Sequence, residues 1–247
     1  MLFFTDLDNT LIYSHRKLLP EDKVVVEFYK GNEQCFMTKK TFDFFCNYSD
    51  MPVIPVTTRT IEQYNRIFVL NDNLQIEYAL VNNGGTLLVN GEKNQDWEHE
   101  TLVLCKDDMS ELEHIHSWLL KSKYEKNVVS VTPYFFYVRG IDVEEFSRLI
   151  KKMADPQRVI VEGDARKVYI HAKHACKGTA INRFMKKYKH KECVAAGDSA
   201  FDLSMLQVAT YSIAPYKLAE LSKQKGTVYI RKEIISDDIC EYLRTFE

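Results

Sequence analysis

The sequence predicts an α/β protein, a doubly wound parallel sheet with a smaller α+β domain inserted in its middle. Three observations carry that expectation. Apolar runs of strand length alternate with amphipathic helical segments in residues 1–84 and again in 172–247. Between them, residues 85–171 repeat a helix followed by two strands, the pattern of an antiparallel sheet. Three of the expected parallel strands end in carboxylates or hydroxyls, and ligands of open α/β sheets bind at the carboxyl ends of strands.

The elements follow in order. Residues 1–5 (MLFFT) form an apolar run suited to burial on both faces of a sheet. VVVEFY (24–29) and QCFM (34–37) flank Lys30-Gly31-Asn32-Glu33 and predict a hairpin. Phe42, Phe45 and Cys46 share one face of a helix over 39–48. MPVIPVTTRT holds a strand at 53–56, limited by Pro52 and Pro55, that ends in Thr57, Thr58 and Arg59. A helix over 60–70, with Tyr64, Ile67 and Phe68 at helical spacing, leads to YALVNNGG (78–85), a third strand with a glycine turn.

The inserted region begins with a hairpin around Asn90-Gly91 and a helix over 108–121, striped by Leu112, Ile115 and Leu119. Strands at 128–132 and 134–139, a helix over 142–153, and a hairpin of 157–162 and 166–171 turning at Gly163-Asp164 complete it. The parallel pattern then returns: a helix over 177–188, a strand at 192–196, a helix from about residue 200, and strands at 210–213 and 227–230. Ser236 is the expected cap of a final helix.

Composition excludes several classes of function. At 247 residues, 45% apolar and with a net charge of −2, the chain has no basic excess that would suit nucleic acid. No segment approaches the roughly 20 apolar residues of a membrane span. The N-terminal apolar run is too short for a signal peptide and is interrupted by Asp6 and Asp8. Cys35, Cys46, Cys105, Cys176, Cys193 and Cys240 are scattered without a CxxC pair, which points to a reducing compartment. The expectation is a soluble cytoplasmic protein, monomer or homodimer, with no membrane or nucleic-acid partner.

The carboxylates carry the chemistry. Asp6 and Asp8 follow the first strand, and like charges that close repel unless something cationic compensates them. Asp198 and Asp202 lie four apart in GDSAFD, at a helix start. Four carboxylates converging on one point call for a hard divalent cation, and Mg²⁺ takes one or two carboxylates together with waters and phosphate oxygens. Lys177, at a helix start, can neutralise an anionic intermediate without competing for that metal. Carboxylates, Mg²⁺, hydroxyls and one lysine together describe phosphoryl transfer, with Asp6 attacking phosphorus and Asp8 moving protons as general acid and base.

In DLDNT (6–10), VTT (56–58), Lys177 and GDSAFD (197–202), taken in that order, the sequence resembles the haloacid dehalogenase superfamily of phosphotransferases. The hairpin at 24–37 resembles the flap of those proteins. The insertion resembles the larger cap of the Cof-like and sucrose-phosphate-phosphatase-like members. The resemblance implies a Rossmann-like core of residues 1–84 and 172–247 and a cap of residues 85–171. It further implies Asp6 as nucleophile, Asp8 as acid/base, and Mg²⁺ held by Asp6, the Asp8 carbonyl and Asp198. Asp202 would hold metal-bound water or orient Lys177, while Thr57 would bond the phosphoryl group. Asn83, in NNGG, stands where relatives touch substrate. Thr58 replaces the glycine of the usual threonine-glycine-arginine, and Thr58 and Arg59 are further candidates for the substrate phosphate.

Other groups have simpler readings. His171 sits on a strand three residues before His174, and His114 and His116 point different ways on a helix; none is read as a metal ligand. Tyr134-Phe135-Phe136-Tyr137 is read as core on alternate faces, with one face lining a substrate pocket as the alternative. Arg139 is read as an exposed ion-pairing residue, with an anion ligand as the alternative, and the basic run 186–191 as a solvated helix end. The expected activity is a Mg²⁺-dependent phosphatase for a small phosphorylated metabolite, most simply a sugar phosphate. The alternatives are a sugar phosphomutase and a non-catalytic phospholigand-binding protein.

Overall fold

In a computed structural model of the chain the N-terminal apolar run becomes β1 (Leu2–Thr5), with all four side chains buried. The structure describes residues 1–163, 166–222, 227–230 and 233–246. β2 (Tyr13–Ser14), β3 (Val24–Tyr29) and β4 (Asn32–Met37) form an antiparallel sheet in the order β2-β4-β3. Its hairpin turns on two residues rather than four. Lys30 and Gly31 both have positive φ (52° and 80°), as a tight two-residue turn requires. α1 (Lys39–Asn47) starts behind Thr38, whose hydroxyl accepts from the Thr41 N–H, and Phe45 stacks on Phe3. β5 (Val53–Pro55) is an edge strand, where proline removes no ladder bond.

The helix expected over 60–70 is broken into α2 (Ile61–Asn65) and α3 (Phe68–Asp72). Ile67 (ψ 80°) leaves helical geometry to bridge Glu27 of β3. β6 (Tyr78–Val81), β7 (Thr86–Val89) and β8 (Glu92–Lys93) form a meander whose second turn places Asn90 and Gly91 at φ 49° and 80°. Because β7 pairs with β6, residues 85–94 belong with the first unit, Met1–Asn94 and Lys177–Glu247, and the second unit is Gln95–Cys176.

The second unit comprises α4 (Gln95–Leu104), α5 (Lys106–Leu120), β9 (Val128–Thr132), β10 (Phe135–Arg139), α6 (Val143–Met153), β11 (Val159–Gly163) and β12 (Lys167–Ala172). Its antiparallel sheet, in the order β11-β12-β10-β9, turns Phe136, Val138, Val168 and Ile170 into a core shared with Leu112, Ile115, Phe146 and Ile150. The alternation of strand residues against helical stripes makes that core. α4 buries Trp97 and Thr101 while Leu102, Val103 and Leu104 are exposed, so it lacks the apolar stripe by which a helix is read from sequence. The turn expected at Gly163-Asp164 includes Asp164, which lies outside the described residues.

The chain returns through α7 (Lys177–Lys187), β13 (Cys193–Ala196), a 3₁₀ turn (Ala200–Asp202), α8 (Leu203–Val208), β14 (Tyr211–Pro215), α9 (Tyr216–Ser222), β15 (Thr227–Ile230) and α10 (Ser236–Leu243). The main sheet, in the order β15-β14-β13-β1-β5, is parallel throughout, and this is the expected α/β core with an α+β insertion. Ser236, expected as a cap, is instead the first helical residue. The Tyr13 hydroxyl accepts from the N–H groups of Ile235 and Ser236 (3.0 Å each) and so does the capping. Among the described residues no helix is long and apolar enough to cross a membrane.

Candidate active site

Register decides where the site forms. Thr5 of β1 pairs with Ala196 of β13 and with Pro55 of β5, so the three strands end level. The residues that follow, Asp6, Gly197-Asp198 and Val56-Thr57, therefore emerge at one sheet edge. The Asp6 N–H donates to the Ala196 carbonyl (2.9 Å) and carries the parallel pairing one residue past β1. Leu7 to Ile12 then turn tightly, with the N–H groups of Thr10, Leu11 and Ile12 all reaching the Leu7 carbonyl. Asn9 takes the left-handed conformation (φ 60°), which asparagine tolerates better than most residues.

Lys177 links the two acidic segments. Its Nζ donates to Asp6 Oδ1 and to Asp202 Oδ1, each at 2.6 Å, and the side chain is 1% exposed. Burial opposes the lysine's charge, but Asp202 and then Asp6 outweigh it and raise its pKa. Asp202 is fully buried and turns back on its own loop. Its Oδ2 accepts from the N–H groups of Asp198 and Ser199 (3.0 and 2.9 Å) and from the Ser199 hydroxyl. Gly197 makes that fold-back possible, since a Cβ there would lie 2.3 Å from Asp202 Cβ.

Carboxylate oxygens of Asp6, Asp198 and Asp202 lie within 4.8 Å of one another. Burial pushes the Asp6 carboxyl well above its ordinary range, Lys177 pulls it back, and Asp202, Asp198 and Asp8 push it up again. Burial, then Asp202, pushes Asp198 up to about 7. An all-oxygen donor set whose charges repel suits a hard cation such as Mg²⁺. Asp202 is the least available of the three, because Lys177 and the Asp198–Ser199 segment occupy both its oxygens. Asp6 and Asp198, the latter meeting the Thr10 hydroxyl through Oδ1 at 3.4 Å, are the more open residues of the three.

The segment after β5 brings the remaining candidates near. Thr57 is fully buried, its N–H donates to the Leu80 carbonyl, and its Oγ1 accepts from the Arg59 N–H (3.2 Å). The NNGG turn is stitched to the same loop: Asn82 N–H reaches the Arg59 carbonyl (2.8 Å) and Asn83 N–H the Thr57 carbonyl (2.9 Å). Asn82, Asn83 and Gly84 all have positive φ, which explains a turn of asparagine and glycine here. Thr58 is half-buried.

Arg59, a candidate for substrate phosphate, is directed elsewhere. Nε and Nη2 form a fork on Asp8 Oδ2 and Oδ1, each at 2.8 Å. Nη1 donates to Glu27 Oε2 (2.9 Å) and the Gln63 carbonyl (3.0 Å), and Nη2 also meets Cys35 Sγ (3.5 Å). That accounts for all five guanidinium N–H groups. Burial works against the Arg59 charge, but the hydrogen bonds and charge of Asp8, then the charge of Glu27, raise its pKa. The Asp8 side chain is 46% exposed, against 9% for Asp6 and 0% for Asp202, and so is open to proton exchange. Sequence reasoning missed Glu27; its one signal is an acid inside the apolar run VVVEFY.

Three of the histidines are engaged elsewhere, and His114 is exposed. His171 meets the Ala172 carbonyl and Glu162, His174 Nδ1 meets Asp108 at 2.8 Å, and His116 meets Ser130.

The family model described as haloacid dehalogenase-like hydrolase matches residues 60–225, a span that includes Asn83, Lys177, Asp198 and Asp202. No curated protein matches the chain. Among solved structures, the chain is similar to the sucrose-phosphatase from Synechocystis sp., described in complex with sucrose and phosphate, at 12% identity and a TM-score of 0.68, covering 100% of this chain and 97% of that one. It is similar to a HAD subclass IIB sugar phosphatase at 15% identity and a TM-score of 0.65, covering 99% and 98%. A haloacid dehalogenase-like hydrolase from B. subtilis is matched at 15% identity and a TM-score of 0.60, with 100% of both chains covered. At these identities the likeness shows a shared fold.

Proposed function

The chain belongs to the haloacid dehalogenase-like hydrolase family, and from that premise we propose that it is a Mg²⁺-dependent phosphatase acting on a small phosphorylated metabolite. The observation that carries the reading is Lys177, buried between Asp6 and Asp202 at 2.6 Å from each, with Asp198 in the same cluster. Asp6 Oδ1 is held by the lysine, and Oδ2 is the oxygen available to attack phosphorus.

Two displacements follow. In the first, Asp6 Oδ2 bonds to phosphorus, the phosphorus–oxygen bond to the alcohol breaks, and Asp8 gives the departing oxygen its proton. In the second, Asp8 takes a proton from water, the water oxygen bonds to phosphorus, and the phosphorus–oxygen bond to Asp6 breaks. Inorganic phosphate leaves and both aspartates return to their starting forms. Each carboxylate oxygen of Asp8 has two lone-pair sites, so the Arg59 fork leaves one on each for a proton. Proton transfer of this kind contributes about 10²–10⁴-fold. Lys177 places positive charge beside the phosphoryl oxygens, and the loop carrying Thr57 and Asn83 brings a hydroxyl and an amide side chain for them.

The residues that would hold Mg²⁺ are Asp6, Asp198 and the main-chain carbonyl of Asp8, with Asp202 orienting Lys177 and the Asp198 backbone. Bound there, the cation supplies Lewis-acid compensation for charge on the transferring group. The sucrose and phosphate bound by one structural neighbour, and the sugar phosphatase that is another, support a sugar phosphate as the substrate class. Unit Gln95–Cys176 is assigned as the cap that selects the substrate, and a cytoplasmic setting agrees with six cysteines scattered without a CxxC pair.

The test is release of inorganic phosphate from p-nitrophenyl phosphate and a panel of sugar phosphates with Mg²⁺ or with chelator. Turnover that needs Mg²⁺ and disappears in Asp6→Asn supports the reading. No turnover on any phosphoester sinks it, and interconversion of sugar phosphates without net phosphate release replaces it with a mutase.

A further inference from the structure

We propose that Glu27, on the hairpin remote in sequence from every motif, is a positioning residue for Asp8 and acts through Arg59. The proposal rests on the reading of Asp8 as acid and base.

Glu27 should point to solvent. Strict alternation along VVVEFY would put Val26 inward and Glu27 outward. The pairing of β3 with β4 instead slips twice, between Val25 and Glu27 and again between Glu27 and Phe28. These irregularities re-aim the side chain, so that Val26 (0% exposed) and Glu27 (1%) are both buried in succession. Phe28, next along, is 50% exposed.

The buried carboxylate is matched on both oxygens. Oε1 accepts from Arg66 Nε and Oε2 from Arg59 Nη1, each at 2.9 Å. The surrounding contacts fix the hairpin against the segment that follows Arg59. Glu27 bridges Ile67 through the backbone, Phe28 stacks on Phe68 at 5.9 Å, and the Arg66 guanidinium lies 4.9 Å from the Tyr29 ring centroid. The chain of charges runs Arg66–Glu27–Arg59–Asp8, and its outer member is the side chain assigned to move protons.

A buried ion pair adds little net stability over apolar packing of the same volume. What this arrangement does supply is a guanidinium held from behind, so that its fork fixes both oxygens of a half-exposed carboxylate. Proton transfer depends on such placement, and a displacement of about 1 Å costs on the order of 10²-fold.

Kinetics on two substrates separate positioning from general support of the fold. The leaving group of p-nitrophenyl phosphate departs without a proton, whereas the alkoxide of β-glycerophosphate must receive one. With saturating Mg²⁺, kcat/KM covers the steps through departure of the alcohol. Asp8→Asn sets the reference, with a loss of about 10²-fold or more on β-glycerophosphate and a far smaller one on p-nitrophenyl phosphate. Glu27→Gln should reproduce the split, about tenfold or more against less than about threefold. Arg66→Ala, at a site one-third exposed, loosens Glu27 from the other side and should give a weaker split of the same sense. If the Glu27 variant does not fold, the Arg66 variant decides. Equal losses on both substrates, or none, overturn the role of Glu27 and leave that of Asp8 standing. A missing split in Asp8→Asn removes the acid–base reading and this proposal with it.

Discussion

Replacing Lys177 by methionine should unfold the site from its centre and do so in a pH-dependent way. The methionine has a similar length but leaves the oxygens of Asp6 and Asp202, each 2.6 Å from Nζ, facing one another without a cation. Removing one partner of a buried ion pair costs about 3–5 kcal/mol. For a domain of this size each kcal/mol moves the melting midpoint by about 2–4 °C, so the expected fall is roughly 6–20 °C in chelator at pH 8. At pH 5 the fall should be smaller, because the Asp6 carboxyl is already raised by its burial and takes a proton when the lysine is gone. Turnover should drop by about 10²–10³-fold, the usual cost of losing a preorganised charge at the reacting group. Thermal unfolding followed by circular dichroism at the two pH values, with phosphate release in parallel, measures all three. A midpoint within about 2 °C of the parent at pH 8, or an equal fall at both pH values, would refute the placement of Lys177 between two carboxylates.

Three further outcomes follow from the same geometry. Asp198 is raised to about 7, so the folded chain holds its proton where the unfolded chain has lost it. Metal-free stability should therefore decline between about pH 4 and pH 7, and Asp198→Asn should flatten that slope in denaturant titrations. Gly197→Ala drives a methyl into Asp202 and should cost about 1–3 kcal/mol in urea unfolding together with most of the activity; unchanged kinetics would show that the Asp202 fold-back is dispensable. Tyr13→Phe removes the acceptor of the Ile235 and Ser236 N–H groups and the donor to the Thr10 carbonyl. It should cost about 1–3 kcal/mol, read by chemical denaturation.

The parts of this molecule legible in the sequence are those set by strand ends. LFFT and CVAA are apolar on both faces, so their burial and pairing could be foreseen, and the polar residues just beyond them had to emerge at one edge. That logic led to Asp6 and Asp198, and the helix starts that follow added Lys177 and Asp202; the structure brings the four together. What stayed hidden depends on backbone irregularity or on direction. The slipped pairing that buries Glu27 breaks the alternation from which a strand is read. The helix break at Ile67 follows from a tertiary bridge to Glu27, and local spacing cannot report it. Arg59 reads as a cation beside a phosphate site, yet its direction depends on acceptors supplied by residues 8, 27, 35 and 63. α4 and α9 were missed because short or exposed helices carry weak periodicity.

The most direct measurement is transfer of radiolabelled phosphate from p-nitrophenyl phosphate, whose leaving group needs no proton, to the protein under acid quench, in the parent, Asp6→Asn and Asp8→Asn chains. The expected result is Mg²⁺-dependent label in the parent, its accumulation in Asp8→Asn, where the second displacement lacks its base, and none in Asp6→Asn. Phosphate release without label in any chain, or label that persists in Asp6→Asn, would contradict Asp6 as the nucleophile.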